Sequence, residues 1–174
     1  MLRIWKRLRR LRMMSERPIK VYLAAPVVGV SDDVILELEK IKHVLRTLDK
    51  RGQIELYDPK KHGVPNAWGM SMSEWARCIF TLDVVAIDNA DWIVVCDYGR
   101  KGTAGTAWEA GYAFGKGKKV LIIEMAKTDT DYSVMMRGCS SNYITKERFI
   151  SVTIDKAMEF FVERGRQLQK EILN

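Results

Sequence analysis

Two carboxylic acids and a phenol, Glu109, Asp83 and Tyr22, are the side chains of this chain best suited to chemistry. Glu109 sits in the run Lys101-Gly102-Thr103-Ala104-Gly105-Thr106-Ala107-Trp108-Glu109-Ala110-Gly111-Tyr112-Ala113, between one apolar run ending at Asp97 and another at 120–123. Small residues at 102–107 let the backbone turn sharply and approach a ligand, and the helix predicted to follow aims its positive end at the same place. Glu109 falls within about the first two turns of that helix, where the dipole favours an ionised carboxylate. Kept charged, it can act as a nucleophile; a helix-start acid can equally serve stability alone. Asp83 lies 26 residues earlier, in the second half of a predicted helix. The dipole disfavours an acid near a helix C-terminus, so Asp83 requires either solvent or a purpose. Tyr22 lies inside a predicted strand, and its hydroxyl needs a partner if buried, a site carboxylate being one candidate.

Bringing these three together is the task of the surrounding elements. Ile19–Ala24 (IKVYLA) is apolar, β-rich and closed by Pro26, which predicts a buried first strand with its C-terminal loop at 25–30. Ser31 and two aspartates open a helix in which Val34, Leu38, Ile41, Val44, Leu45 and Leu48 recur at helical spacing until Gly52. Residues 53–57 (QIELY) read as a second strand, followed by a turn-rich loop to about Met70 whose Trp68 and Met70 are candidate walls for a flat aromatic ligand. Ser73 or its neighbour is expected to cap the next helix, with Trp75, Ile79, Leu82 and Val85 or Ala86 as its buried stripe and Asp83 one step off it.

Residues 92–96 (WIVVC) and 119–124 (KVLIIE) are continuous apolar runs of the kind found in strands buried on both faces. Strands alternating with helices predict a parallel sheet with helices on both sides, whose ligands sit at the carboxyl ends of the strands. Residues 129–142 are polar around an embedded Val-Met-Met, 149–152 read as a last edge strand, and 155–174 as a final helix with Ala157, Phe160, Phe161 and Leu168 inward.

A chain of 174 residues with 47% apolar content can bury one good core, so a single domain over 18–174 is expected after a basic tail at 1–17. Arg3, Lys6, Arg7, Arg9, Arg10 and Arg12 supply six of the seven excess positive charges, which leaves the rest near neutral. The tail is read as solvated residues rather than as a membrane or nucleic-acid contact. Nothing in it is long and apolar enough for a secretory signal or a span, and Met13 and Met14 are plausible alternative starts. Cys78, Cys96 and Cys139 are scattered and odd in number, which indicates neither a disulfide framework nor a zinc site and fits a reducing cytoplasm. His43 and His62 have no metal-ligand spacing, so neither metal nor cofactor is expected.

VYLAAP at 21–26, EWARCIFTLDVVAIDNADWIVVC at 74–96 and GTAWEAGYAFGKGKKVLII at 105–123 together resemble the nucleoside 2-deoxyribosyltransferase family over roughly residues 19–152. The resemblance implies a flavodoxin-like (Rossmann-type) α/β fold, a parallel five-stranded sheet with helices on both faces. It also implies a homo-oligomer with shared active sites and cleavage of the N-glycosidic bond of a 2′-deoxynucleoside, the partners being a nucleoside or nucleotide and a free nucleobase. By that likeness Glu109 matches the nucleophile, Tyr22 the tyrosine that orients it, and Asp83 the acid that protonates the departing base. Ala25, Gly102, Thr103 and Gly105 fall in the substrate-binding loops, and Ser133 and Met135 where relatives reach across a subunit interface. Two departures qualify the likeness. Thr103 stands six before Glu109, where many transferases carry an aspartate, and Ser133 with Val-Met-Met-Arg-Gly is closer to relatives that hydrolyse deoxynucleoside 5′-monophosphates. Ser133 or Arg137 would then contact phosphate, although each is equally consistent with an ordinary surface residue. Gly-Thr-x-x-Glu also resembles the phosphoribohydrolases that release cytokinin bases, but their preceding Pro-Gly-Gly is absent. A non-catalytic nucleotide sensor would use the same crevice without needing a nucleophile.

Overall fold

The computed structural model describes residues 17–26, 31–99, 104–125 and 133–161. Arg3, Lys6, Arg7, Arg9, Arg10 and Arg12 of the tail, Gly102, Thr103 and Leu168 lie outside them. Five parallel strands, β1 (Ile19–Ala24), β2 (Ile54–Tyr57), β3 (Trp92–Asp97), β4 (Lys119–Glu124) and β5 (Asn142–Thr145), form one sheet in the order β2-β1-β3-β4-β5. That is the strand order of a flavodoxin-like fold. β3 is buried along its whole length because helices cover both faces of the sheet.

Side-chain alternation along β1 sorts the core into two halves. Val21 and Leu23 pack with Leu38, Ile41, Leu45 and Leu48 of helix α1 (Asp32–Lys50), and with Phe149, Phe160 and Phe161. Tyr22 and Ala24 point the other way, toward Ile87 of helix α2 (Met72–Asn89), Ala110 and Ala113 of helix α3 (Ala104–Gly115), and Met136 of helix α4 (Val134–Gly138). Alanines on the inner side of α3 let it lie close to the sheet, which carries their neighbour Glu109 to the strand that bears Tyr22.

Three expectations are corrected. Residues 149–152 are not a strand: the last strand is β5, and Thr145 caps helix α5 (Lys146–Ser151) by accepting the backbone N–H of Arg148 at 3.3 Å. Phe149 and Ile150 are apolar because they pack on the core from a helix, which a four-residue run cannot distinguish from a strand. Helix α2 is capped by Ser71, two residues before Ser73, rather than by Ser73 or a residue next to it, through a capping box with Glu74. Its anticipated stripe is also not buried as a whole, since Trp75, Leu82 and Val85 are exposed and only Ile87 of the helix is fully covered. The helix stands off the edge of the sheet, and a cleft of about 330 Å³ separates Leu82, Val85 and Ala86 from Val21 and Leu56. Of the predicted final helix, Ile154–Ala157 forms helix α6 and 158–161 a 3-10 turn that buries Phe160 and Phe161.

On the α1 side one ion pair is almost dry. Lys42 Nζ lies 3.0 Å from an Asp58 carboxylate oxygen, with the two residues 5% and 3% exposed. Asp58 also accepts the backbone N–H of Lys60 and so caps the turn that follows β2. Breaking such a pair costs about 3–5 kcal/mol, and Arg46 Nη2, 3.7 Å from the same carboxylate, is too distant to replace Lys42 in full. Lys42→Met is therefore expected to lower the urea midpoint by an amount equivalent to roughly 3 kcal/mol; an unchanged midpoint would contradict the pair's structural role.

Candidate active site

The three sequence-selected side chains meet. The Tyr22 hydroxyl, on a fully buried residue, donates to Glu109 Oε1 at 2.7 Å. Glu109 and Asp83 both line a cavity of about 400 Å³ between α2 and α3, with Gly105 at its edge. Trp75, Ile79, Phe80 and Trp108 supply its apolar walls. Phe80 and Trp108 lie 5.2 Å apart at a 50° tilt, and Trp108 stacks on Tyr112 at 5.1 Å. Such a pocket suits a flat ring with polar edges, held between aromatic faces and offered to two carboxyl groups.

Electrostatics separate the two acids from ordinary ones. Burial is the largest influence on Glu109, raising its pKa to about 7; the Tyr22 hydrogen bond opposes this and the Asp83 charge adds to it. The helix start therefore does not keep Glu109 firmly charged, as its position in the sequence suggests. Taking the carboxylate out of water outweighs the dipole, and the group titrates near neutrality. Asp83 is also raised by burial, with the Tyr22 hydroxyl opposing. Tyr22 is held in its neutral form by burial first and then by the Glu109 charge. A neutral phenol thus sits between two carboxyl groups whose proton affinities differ from those in water, the arrangement from which acid and nucleophile roles are assigned.

The remaining candidates divide. Gly105 lines the cavity, whereas Ala25 packs, partly buried, on the α1 half of the core. Ser133 caps α4 by accepting the backbone N–H of Met136, and Met135 beside it is 82% exposed. Arg137 is engaged: its Nη2 donates to the Tyr143 hydroxyl at 3.1 Å and lies 4.0 Å from Glu124, and its guanidinium covers the Tyr143 ring. Tyr143 in turn donates to Glu124. None of Ala25, Ser133, Met135 and Arg137 lines the cavity. Trp68, expected as a pocket wall, is fully exposed, and neither it nor Met70 lines the cavity. Trp75 and Phe80 take that role.

That reassignment is readable in principle, because Trp75, Ile79 and Asp83 follow one another at four-residue intervals and so share a helix face. Two further residues escape sequence reasoning. Tyr57 stacks on Tyr22 with ring centroids 5.5 Å apart, and His62 stacks on Tyr57 at 4.1 Å. Only the register of β1 with β2, which pairs Tyr22 with Tyr57, discloses the first contact. Among the described residues, no group of three or more histidine, cysteine, aspartate and glutamate side chains is arranged to hold a metal ion. No described helix is long and apolar enough to cross a membrane.

Comparisons with known proteins point to one family. The structure is similar to a 2-deoxyribosyltransferase of Bacillus psychrosaccharolyticus, with a TM-score of 0.60 and 23% identity over 79% of this chain and 95% of that one. A conserved protein of Enterococcus faecalis V583 gives a TM-score of 0.60 at 20% identity over 80% and 98% of the two chains. The CMP N-glycosidase of Clostridium botulinum gives 0.54 at 22% identity over 82% and 99%. At these identities the likeness speaks for the fold. No curated protein sequence matches. The sequence model of the nucleoside 2-deoxyribosyltransferases matches residues 21–144, the stretch that carries all five strands but for the ends of β1 and β5, together with Tyr22, Asp83 and Glu109. The chain therefore belongs to the nucleoside 2-deoxyribosyltransferase family, whose enzymes act on N-glycosidic bonds as pentosyltransferases or N-glycosidases.

Proposed function

We propose that the protein is a nucleoside 2-deoxyribosyltransferase that works through a covalent deoxyribosyl-Glu109 intermediate. The observation that carries this reading is the 2.7 Å hydrogen bond from Tyr22 to Glu109 at the edge of a cavity that Asp83 also lines. The ionised Glu109 carboxylate attacks the anomeric carbon, the carbon–nitrogen bond breaks, and its electron pair leaves on the base, which takes a proton from Asp83. A second base reverses the step and receives the sugar. The oxocarbenium-like transition state between the two carboxyl groups follows the general chemistry of glycosidic bonds. Trp75, Phe80 and Trp108 hold the base and keep the intermediate from water.

Transfer to an unphosphorylated nucleoside is favoured over hydrolysis of a 5′-monophosphate by existing contacts. Of the two expected phosphate ligands, Ser133 caps α4, and Arg137 donates to Tyr143 and lies 4.0 Å from Glu124, so part of its charge is answered within the protein. The assembly is read as a homo-oligomer. Met72, Trp75, Phe80, Leu82 and Val85 on α2, Phe114 on α3 and Val134 and Met135 on α4 are exposed apolar side chains of three helices that pack on the same half of the core, and a second copy covering them would close the cavity mouth.

Mixing the purified protein with a 2′-deoxynucleoside and a different free base is expected to give a new deoxynucleoside by chromatography, and Glu109→Ala is expected to abolish it. Free base and sugar phosphate formed only from a deoxynucleoside 5′-monophosphate would instead establish a hydrolase, and undiminished turnover by Glu109→Ala would remove Glu109 from the mechanism. Glu109 must be ionised to attack, so kcat/KM is expected to fall about tenfold per pH unit below a limb near 7. A limb at the ordinary glutamate value would contradict a buried nucleophile.

A further inference from the structure

We propose that Tyr57 and His62 are positioning residues that clamp the Tyr22 phenol against Glu109, an inference that rests on the nucleophilic role given to Glu109 above. β2 is the edge strand of the sheet, and its register sets Tyr57 directly beside Tyr22 on the same face. Their rings lie 12° from parallel with centroids 5.5 Å apart. On this side α2 stands away from the sheet, and the cleft it leaves is lined by Tyr57, His62, Leu82 and Ala86. Tyr57 is thus not braced by a close-packed helix. The His62 imidazole takes that place, 4.1 Å from the Tyr57 ring and again 12° from parallel.

The imidazole is itself fixed, because His62 Nδ1 donates to the backbone carbonyl of Asp58 at 2.9 Å. Asp58 is anchored by its buried pair with Lys42. One continuous path of contacts therefore runs from the core on the α1 side, around the sheet edge through the turn after β2, to the hydroxyl that touches Glu109. A phenol oxygen lies at the far end of a long side chain, so a small tilt of the ring displaces it greatly, and a misplacement of about 1 Å can cost a hundredfold in rate. Stacking on both sides of Tyr57 opposes that tilt. Among the described residues, the titratable groups that face Glu109 are Tyr22 from β1 and Asp83 from α2, and of these Tyr22 favours the ionised carboxylate. A loosened clamp must then raise the pKa of Glu109 as well as slow turnover.

The test is a carbon NMR titration of the Glu109 carboxyl in the full chain with labelled glutamate, assigned with Glu109→Gln, alongside kcat and KM for deoxyribosyl transfer. Tyr57→Leu and His62→Ala are expected to raise the Glu109 pKa and to lower kcat about tenfold with KM within about twofold. Tyr57→Phe, which keeps the ring, should restore most of what Tyr57→Leu loses, and Tyr57→Leu should add little in a Tyr22→Phe background. An unchanged Glu109 titration in both Tyr57→Leu and His62→Ala would overturn the clamp. So would equal losses in Tyr57→Phe and Tyr57→Leu, or full additivity with Tyr22→Phe. His62 is exposed, so His62→Ala keeps the question open to test where Tyr57→Leu fails to fold. Should the wild-type chain transfer no deoxyribosyl group, the proposed function falls, and the titration still decides the clamp.

Discussion

Desolvation of the Glu109 carboxyl, answered by the Tyr22 phenol, is the constraint around which the described fold is arranged. A carboxylate withdrawn from water is costly, and without a hydrogen-bond donor it would hold its proton more tightly still. The Tyr22 hydroxyl offsets part of that cost with a hydrogen bond to a charged group, an interaction of about 1.5–3 kcal/mol, and the balance leaves Glu109 titrating at about 7. A carboxylate so poorly solvated is more reactive toward carbon than an exposed one of ordinary pKa. The fold serves this balance at several points. The alternation of β1 turns Tyr22 to one side, the alanines of α3 bring Glu109 down onto the sheet, and the parallel order β2-β1-β3 places the neighbouring phenol alongside.

Asp83 completes the site from a helix that is not tightly bound to the sheet. Because α2 stands off the edge strand, it can present an aromatic face to the cavity and a second apolar face outward. Both the cavity walls and the exposed surface come from the same looseness. A helix packed as closely as α1 would have buried Trp75, Leu82 and Val85 and left no room between α2 and α3.

Much of this is legible in the sequence, for identifiable reasons. Strands such as WIVVC and KVLII announce themselves because burial on both faces requires unbroken apolar residues, and the expected bounds of β1 and β4 are the observed ones. Tyr22, Asp83 and Glu109 stand out because a phenol in a strand, an acid near a helix end and an acid after a glycine-rich turn each need a partner. Misreadings arise where a local pattern has two outcomes. Phe149 and Ile150 pack on the core from a helix rather than a strand, and Thr145, whose side chain starts that helix, is the available signal. Trp75 reads as core because helical spacing marks an apolar face without saying what covers it. The stack of Tyr22, Tyr57 and His62 is out of reach, since it depends on strand register and on a turn conformation that no local rule fixes.

The central claim is that Glu109 becomes bonded to the sugar. Its most direct test is rapid acid quench of the enzyme during turnover of a 2′-deoxynucleoside, followed by protease digestion and mass spectrometry of the peptide that contains Glu109. The account predicts a peptide heavier by one deoxyribosyl group, with fragmentation placing the group on Glu109. A reproducibly unmodified peptide under conditions of rapid transfer, or the sugar on another residue, would contradict it.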